Sequence, residues 1–234
     1  MVETQKTAAV VGAGGGIGQA FVAALRNDTR FAHVHAFSRA GGTNAAIMDP
    51  AGDASIIAGV EGLEAPIHRL IITTGMLHDD TQTPEKSWRA LDSAALTRSF
   101  AINSIAPLMV IKAFLPLIPK DERAEIVVLS ARVGSISDNR TGGWHGYRAS
   151  KAALNQLIKT ISIELARSHP HLVCVALHPG TVDTGMSAPF QRGVAADKLF
   201  TPAYSVERML AVLDGLTPEQ TGGVFAWDGA AIPA

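Results

Sequence analysis

Residues 7–26 read TAAVVGAGGGIGQAFVAALR, and this stretch decides the architecture. Thr7 to Val11 form a short apolar, β-branched run suited to a parallel strand buried on both faces. Gly12, Gly14, Gly15, Gly16 and Gly18 follow, and an amphipathic pattern beginning at Ile17 predicts a helix over 17–27. A strand, a glycine turn and a helix amino terminus make a phosphate site. The glycines let the backbone approach a pyrophosphate, while free N–H groups and the helix dipole favour its charge.

Further along, apolar runs predict strands at 33–37, 69–74, 125–130 and 172–177, with a last one near 223–227. Helical periodicity occupies 97–118, 147–168 and 204–214. Strands alternating with helices imply an α/β fold, a Rossmann-like doubly wound parallel sheet with helices on both faces. At 234 residues the chain reads as one domain with ample core, without internal repeat or dividing linker. Segments 40–46 and 185–201 read as loops, the second a natural lid.

A second stretch carries the chemistry. Tyr147-Arg148-Ala149-Ser150-Lys151 opens the helical run KAALNQLIKTISIELA and follows a strand that ends in Ser130. Residues four apart share a helix face, so the Tyr147 phenol and the Lys151 ammonium can meet one ligand. A free tyrosine titrates near ~10, and a cation one turn away favours the phenolate.

The spacing Gly12-x-x-x-Gly16-x-Gly18, with Tyr147-x-x-x-Lys151 far downstream, resembles the short-chain dehydrogenase/reductase family over essentially the whole chain. The run SARVGSISDNRTGGWHGYRASKAALN and the ending FAWDGAAIP are similar to its C-factor-like branch. The resemblance implies an oxidoreductase interconverting a carbonyl and an alcohol by hydride transfer. Tyr147 would then be the general acid/base, and Lys151 would lower its pKa and hold the nicotinamide ribose hydroxyls. Asn103 stands where the family places a helix asparagine that holds a water near Lys151. Pro179, Gly180, Thr181, Val182 and Thr184 match the segment that meets the nicotinamide end. Asp49 matches the adenine-edge aspartate, and Thr74 and Gly75 lie where the cofactor ribose should pass.

Three positions depart from the family pattern. Val11 replaces a threonine before the first glycine, and Ile72-Thr73-Thr74-Gly75 replaces Asn-Asn-Ala-Gly. Where the family commonly has two serines and uses the second, this chain has Ser130 followed by Ala131. Ser130 is the first choice for the catalytic hydroxyl and Ser135 the second. A nucleotide-binding signalling or regulatory protein with little turnover is therefore the competing class.

At the end of the second predicted strand, Ser38-Arg39 stands where NAD-binding proteins carry a carboxylate. Ser38 can donate a hydrogen bond and Arg39 can clamp a 2′-phosphate, so NADP(H) is preferred over NAD(H). Met186, Phe190, Val194, Leu199 and Phe200 in the lid suggest an apolar pocket for a medium-sized ketone or aldehyde. Ser135, His145 and Met186 are candidate substrate contacts, while His178 reads as structural.

Composition narrows the classes further. Net charge is −1 with no basic cluster, so nucleic acid is not an expected partner. The single cysteine, Cys174, lies in the apolar run LVCVAL and reads as a buried structural thiol. The histidines show no metal-ligand spacing, so no metal is expected. No run of membrane-spanning length and no signal-peptide pattern is apparent, which leads to the expectation of a cytoplasmic protein without a membrane partner. Ile102, Ile105, Met109, Leu154, Leu157 and Ile161 exceed what one sheet face needs, and a homodimer or homotetramer is expected.

Overall fold

The computed structural model describes residues 5–42, 44–64 and 66–234. Seven strands form one fully parallel sheet: β1 (Lys6–Val11), β2 (Phe31–Ser38), β3 (Ala46–Ile47), β4 (Arg69–Ile72), β5 (Ala124–Leu129), β6 (Leu172–His178) and β9 (Val224–Ala226). Their order across the sheet is β3-β2-β1-β4-β5-β6-β9. A small second sheet pairs β7 (Thr181–Val182) with β8 (Leu199–Phe200). The doubly wound fold expected from the glycine turn is the one observed.

Side-chain alternation along the strands divides the core into two layers. Ala9, Val11, Leu70, Ile72, Ile126, Val128 and Cys174 face α2 (Asp53–Val60), α4 (Ala106–Phe114) and α5 (His145–Leu165). Ala8, Val10, Ile71, Val127, Val173 and Val175 face α1 (Gly16–Asn27) and α6 (Pro202–Gly215). Phe114 and Phe21 are fully buried, one in each layer. Truncating either to alanine would cost about 3–5 kcal/mol in lost transfer energy and residual cavity.

Several boundaries differ from the sequence expectations. The helix placed at 97–118 begins as α3 (Ser93–Phe100), started by the Asp92 carboxylate accepting from the Ala95 N–H at 2.8 Å. It widens into a π turn at Ala101–Ile105 before continuing as α4. The strand placed at 69–74 stops at Ile72, because Thr73 and Thr74 turn out of the sheet toward the glycine turn. Segment 40–46 ends in β3 and segment 185–201 in β8; Thr43 lies outside the described residues. Helix α2 lacked a legible pattern, since DASIIAGV is short and its apolar residues do not repeat at helical spacing.

The helical run Ser93–Leu117 is 25 residues long and holds an 18-residue window of mean hydropathy 1.7, enough by length and composition to cross a membrane. This corrects the expectation that no apolar run reaches that length. Its apolarity has a packing cause: Val110, Ile111 and Phe114 are buried in the core layer against the sheet.

Candidate active site

All the loops that matter leave the carboxyl ends of the strands, where open α/β sheets bind ligands. The β1–α1 turn makes the closest approach. Gly12 has φ +95° and donates its N–H to the Phe37 carbonyl at 2.9 Å. A Cβ at Gly18 would lie 2.2 Å from the Gly12 carbonyl oxygen, so only glycine lets the helix start this close to the strand. Gly14 packs on Ser38, and Gly16 sits against the Thr184 methyl, which joins the glycine turn to the segment after β6.

The edge between β1 and β4 is built from the departing Ile72-Thr73-Thr74-Gly75 segment. The Thr73 hydroxyl lies 3.2 Å from the Val11 carbonyl oxygen and 3.1 Å from that of Gly12, so it ties the turn together. The Thr74 hydroxyl is enclosed and has no partner. An orphaned buried hydroxyl beside a glycine cradle fits a polar ligand lying over the turn. Gly75 lies beside Asn103 Oδ1, Lys151 Nζ and the Met186 methyl, so it adjoins the central residues of the site.

Helix α5 carries the central pair. Its amino terminus is held by Glu85, a buried residue whose carboxylate accepts the Gly146 N–H at 3.2–3.3 Å. Tyr147 and Lys151 follow on consecutive turns. The Lys151 ammonium donates to the Leu129 carbonyl at 2.9 Å and lies 5.9 Å from the centre of the Tyr147 ring. Burial pushes the Tyr147 phenol up to about 12 and the Lys151 ammonium down to about 8. The expectation that Lys151 lowers the phenol pKa is thus not met in this state, because desolvation of the phenolate prevails.

Asn103 lies fully buried in the π turn. Its Oδ1 accepts the Met76 N–H at 2.7 Å, and its Nδ2 donates to the Met76 carbonyl at 2.8 Å and to the Ser150 hydroxyl at 3.1 Å. The Ser150 hydroxyl in turn donates to the Tyr147 carbonyl at 2.9 Å. The carboxamide donors expected to hold a water are therefore committed to backbone and Ser150, and the residue fixes α5 against the end of β4.

A cavity of about 340 Å³ opens beside this pair and is bordered by Ile17, Ser130, Ala131, Tyr147, His178 and Thr184 among others. Pro179, Gly180, Thr181, Val182 and Met186 also line it. A larger groove of about 520 Å³ lies between α1 and α6, away from every catalytic candidate. Trp144, held at the left-handed φ of +52°, meets the Phe190 ring edge-on at 5.1 Å and the Tyr147 ring at 6.3 Å. His78 also meets Phe190, at 5.5 Å, and its Nε2 lies 3.1 Å from the Met186 carbonyl oxygen.

The remaining candidates separate clearly. Ser130 borders the cavity, but its hydroxyl donates to Asn155 Oδ1 at 2.6 Å. Ser135 is buried away from the cavity, accepting from the Asp138 N–H at 3.2 Å and bonding to the Ala234 carbonyl at 3.5 Å. His145 starts α5 outside the cavity wall. Ser38 is buried and donates to the Gly41 carbonyl at 3.2 Å, with Arg39 exposed beside it. Asp49 closes a turn on the Ala51 N–H at 3.0 Å, just beyond β3. Cys174 is fully buried, and burial pushes its thiol up to about 12, which makes it inert. Glu85, Asn155 and the contact of His78 with Phe190 had no local signature; His178, read as structural, borders the cavity.

Comparison with known proteins agrees with this arrangement. A family model for short chain dehydrogenases matches residues 6–195. The chain is 38% identical over 149 residues to the C-signal of Myxococcus xanthus, covering 62% of this chain and 84% of that protein. It is 33% identical over 162 residues to an oxidoreductase of Schizosaccharomyces pombe, spanning 60% of that protein's length. The NADPH-bound carbonyl reductase from chicken fatty liver superposes with a TM-score of 0.83 at 26% identity, covering 98% of this chain and 99% of that one. The chain belongs to the short-chain dehydrogenase/reductase family of NAD(P)-dependent oxidoreductases.

Proposed function

We propose that the chain reduces an apolar ketone or aldehyde to its alcohol with NADPH, Tyr147 supplying the proton. The observation that carries this is the cavity bordered by Tyr147, with Lys151 one turn further along α5 and Ile17, the residue after Gly16, in its lining. The chicken carbonyl reductase, which binds NADPH, lends its chemistry to the same reading. When bound, the dinucleotide supplies the hydride.

The chain's own residues do the rest. The glycine turn and the α1 amino terminus would hold the pyrophosphate, and Arg39 with Ser38 the 2′-phosphate. The unpartnered Thr74 hydroxyl would meet the ribose edge, which would give it the partner it lacks. A phenol raised to about 12 is fully protonated at neutral pH, the state required to protonate a developing alkoxide. Lys151 keeps two N–H groups beyond its bond to Leu129 for the ribose hydroxyls. Leu77, Trp144 and Phe190 exclude water and favour an apolar, flat substrate. Ile105, more than half exposed in the π turn, and the partly buried Ile102 and Leu157 support pairing through this face; Met109 and Ile161, expected among them, pack against the core, and Leu154 lies within it.

A second reading, binding without turnover, draws on Ala131 and on the engaged Ser130 hydroxyl. A panel of apolar aryl and alkyl ketones with NADPH separates the two. Consumption of NADPH that is lost in Tyr147→Phe supports the reductase, and tight NADPH binding with no consumption supports the binder.

A further inference from the structure

A carbonyl oxygen that takes the Tyr147 proton has a second lone pair, and the cavity must meet it with another donor or leave it bare. Ala131 has none to offer. The Ser130 proton is spent on Asn155, and that of Ser187 on the Val182 carbonyl at 2.5 Å. Arg132, more than half exposed, turns its Nε to Asp138 at 2.9 Å.

His178 is differently placed. It borders the cavity and directly follows Leu177, whose carbonyl accepts the Ser130 N–H at 2.8 Å. Alternation along β6 puts it on the sheet face of Cys174, the face that α5 covers with Tyr147 and Lys151. Its Nδ1 is enclosed without a hydrogen-bond partner. A buried N–H with no acceptor is a rarer arrangement than a bare lone pair, so the proton belongs on Nε2. Burial first, and then the neighbouring Arg132, depress the imidazole to about 4 against a weaker opposing pull from Asp228, which keeps the ring neutral.

We propose that His178 donates a hydrogen bond from Nε2 to the substrate's carbonyl oxygen beside the Tyr147 phenol, in the place that Ala131 leaves without a hydroxyl. The assignment rests on the carbonyl-reducing function proposed above. No proton is transferred by His178; it polarises the carbonyl and steadies the charge that develops on its oxygen.

The test uses the whole protein, NADPH and the best ketone of the panel. His178→Ala should lower kcat by about 100-fold with a smaller change in KM, the scale of losing one oxyanion donor. Thermal protection by NADPH should be unchanged. Adding Ala131→Ser to that variant should restore kcat by about ten-fold, whereas Ala131→Ser alone should change it by less than about three-fold, because the donor is already present. With NADP+ and acetophenone bound, the His178 imidazole N–H resonance should move downfield, a readout independent of turnover and measurable in unaltered protein should His178→Ala fail to fold. Unchanged kcat in His178→Ala, an unmoved resonance, or a gain of about 100-fold from Ala131→Ser alone would overturn the assignment while leaving the reductase standing. Absence of ketone turnover in the unaltered protein would overturn the reductase reading and the His178 role together.

Discussion

Asn103 and Met76 hold each other through a reciprocal pair of hydrogen bonds, 2.7 Å from the Met76 N–H to Oδ1 and 2.8 Å from Nδ2 to the Met76 carbonyl. The carboxamide thus acts as a strand partner for a backbone that has left β4. Asn103→Ala would strand both Met76 groups in a buried position, at roughly 1–3 kcal/mol for each unsatisfied group. The expected result is a lower denaturant midpoint together with weakened turnover, since the same side chain steadies Ser150 and hence α5. A midpoint within error of the unaltered protein would contradict this account of the π turn.

Tyr147→Phe keeps the ring and its contact with Trp144 while removing the proton. Turnover should fall by about 10²–10⁴-fold, the usual range for a positioned acid, with NADPH affinity nearly unchanged. Binding titration and steady-state kinetics on one preparation decide it.

Arg39 is exposed at the end of β2, beside Ser38. Loss of a charge-assisted contact of about 1.5–3 kcal/mol should weaken NADPH binding in Arg39→Ala by roughly 10- to 150-fold. NADH binding should hold steady, and the ratio of the two dissociation constants checks the phosphate clamp. Equal losses for both cofactors would point to damage of the turn instead.

The two buried titrating groups of α5 predict opposite pH responses of stability in the unliganded protein. Burial lowers Lys151 from 10.5 to about 8, so the cost of its buried charge is present below about 8 and is relieved as pH rises toward 10.5. Burial raises Tyr147 from 10.0 to about 12, so its contribution is full below 10 and is lost as pH rises through about 12. Lys151→Met should remove the rise between about 8 and 10.5 in chemical unfolding curves while keeping the fall above 10. A rise of equal size in Lys151→Met would show that it comes from other groups.

Trp144 occupies the left-handed region at φ +52°, where a side chain costs about 1–2 kcal/mol. Trp144→Gly should therefore be more stable than Trp144→Ala by about 1 kcal/mol, judged by unfolding midpoints. Both should raise KM for aryl ketones more than they lower kcat, because the indole borders the cavity and packs on Phe190.

The sheet was legible because parallel strands buried on both faces read as continuous apolar runs, and the glycine turn fixed which strand came first. Tyr147 and Lys151 were legible because four-residue spacing on a helix is local information. Helix α2 was missed for lack of periodicity, and the π turn because a five-residue hydrogen-bond step leaves no mark on a 3.6-residue pattern. Ser130 and Ser135 were ranked from their positions in the sequence, but their hydroxyl partners, Asn155 for the first and Asp138 with Ala234 around the second, needed tertiary placement. His178, read as structural, lies across from the end of β5 only once strands distant in sequence are paired.

The most direct measurement follows the hydride itself. Incubating the protein with an apolar aryl ketone and NADPH deuterated at its transferable position should yield an alcohol carrying one deuterium on the carbinol carbon. Tyr147→Phe should give almost none. If the cofactor is recovered intact and no deuterated alcohol forms, the chain binds without turnover and the reductase account is wrong.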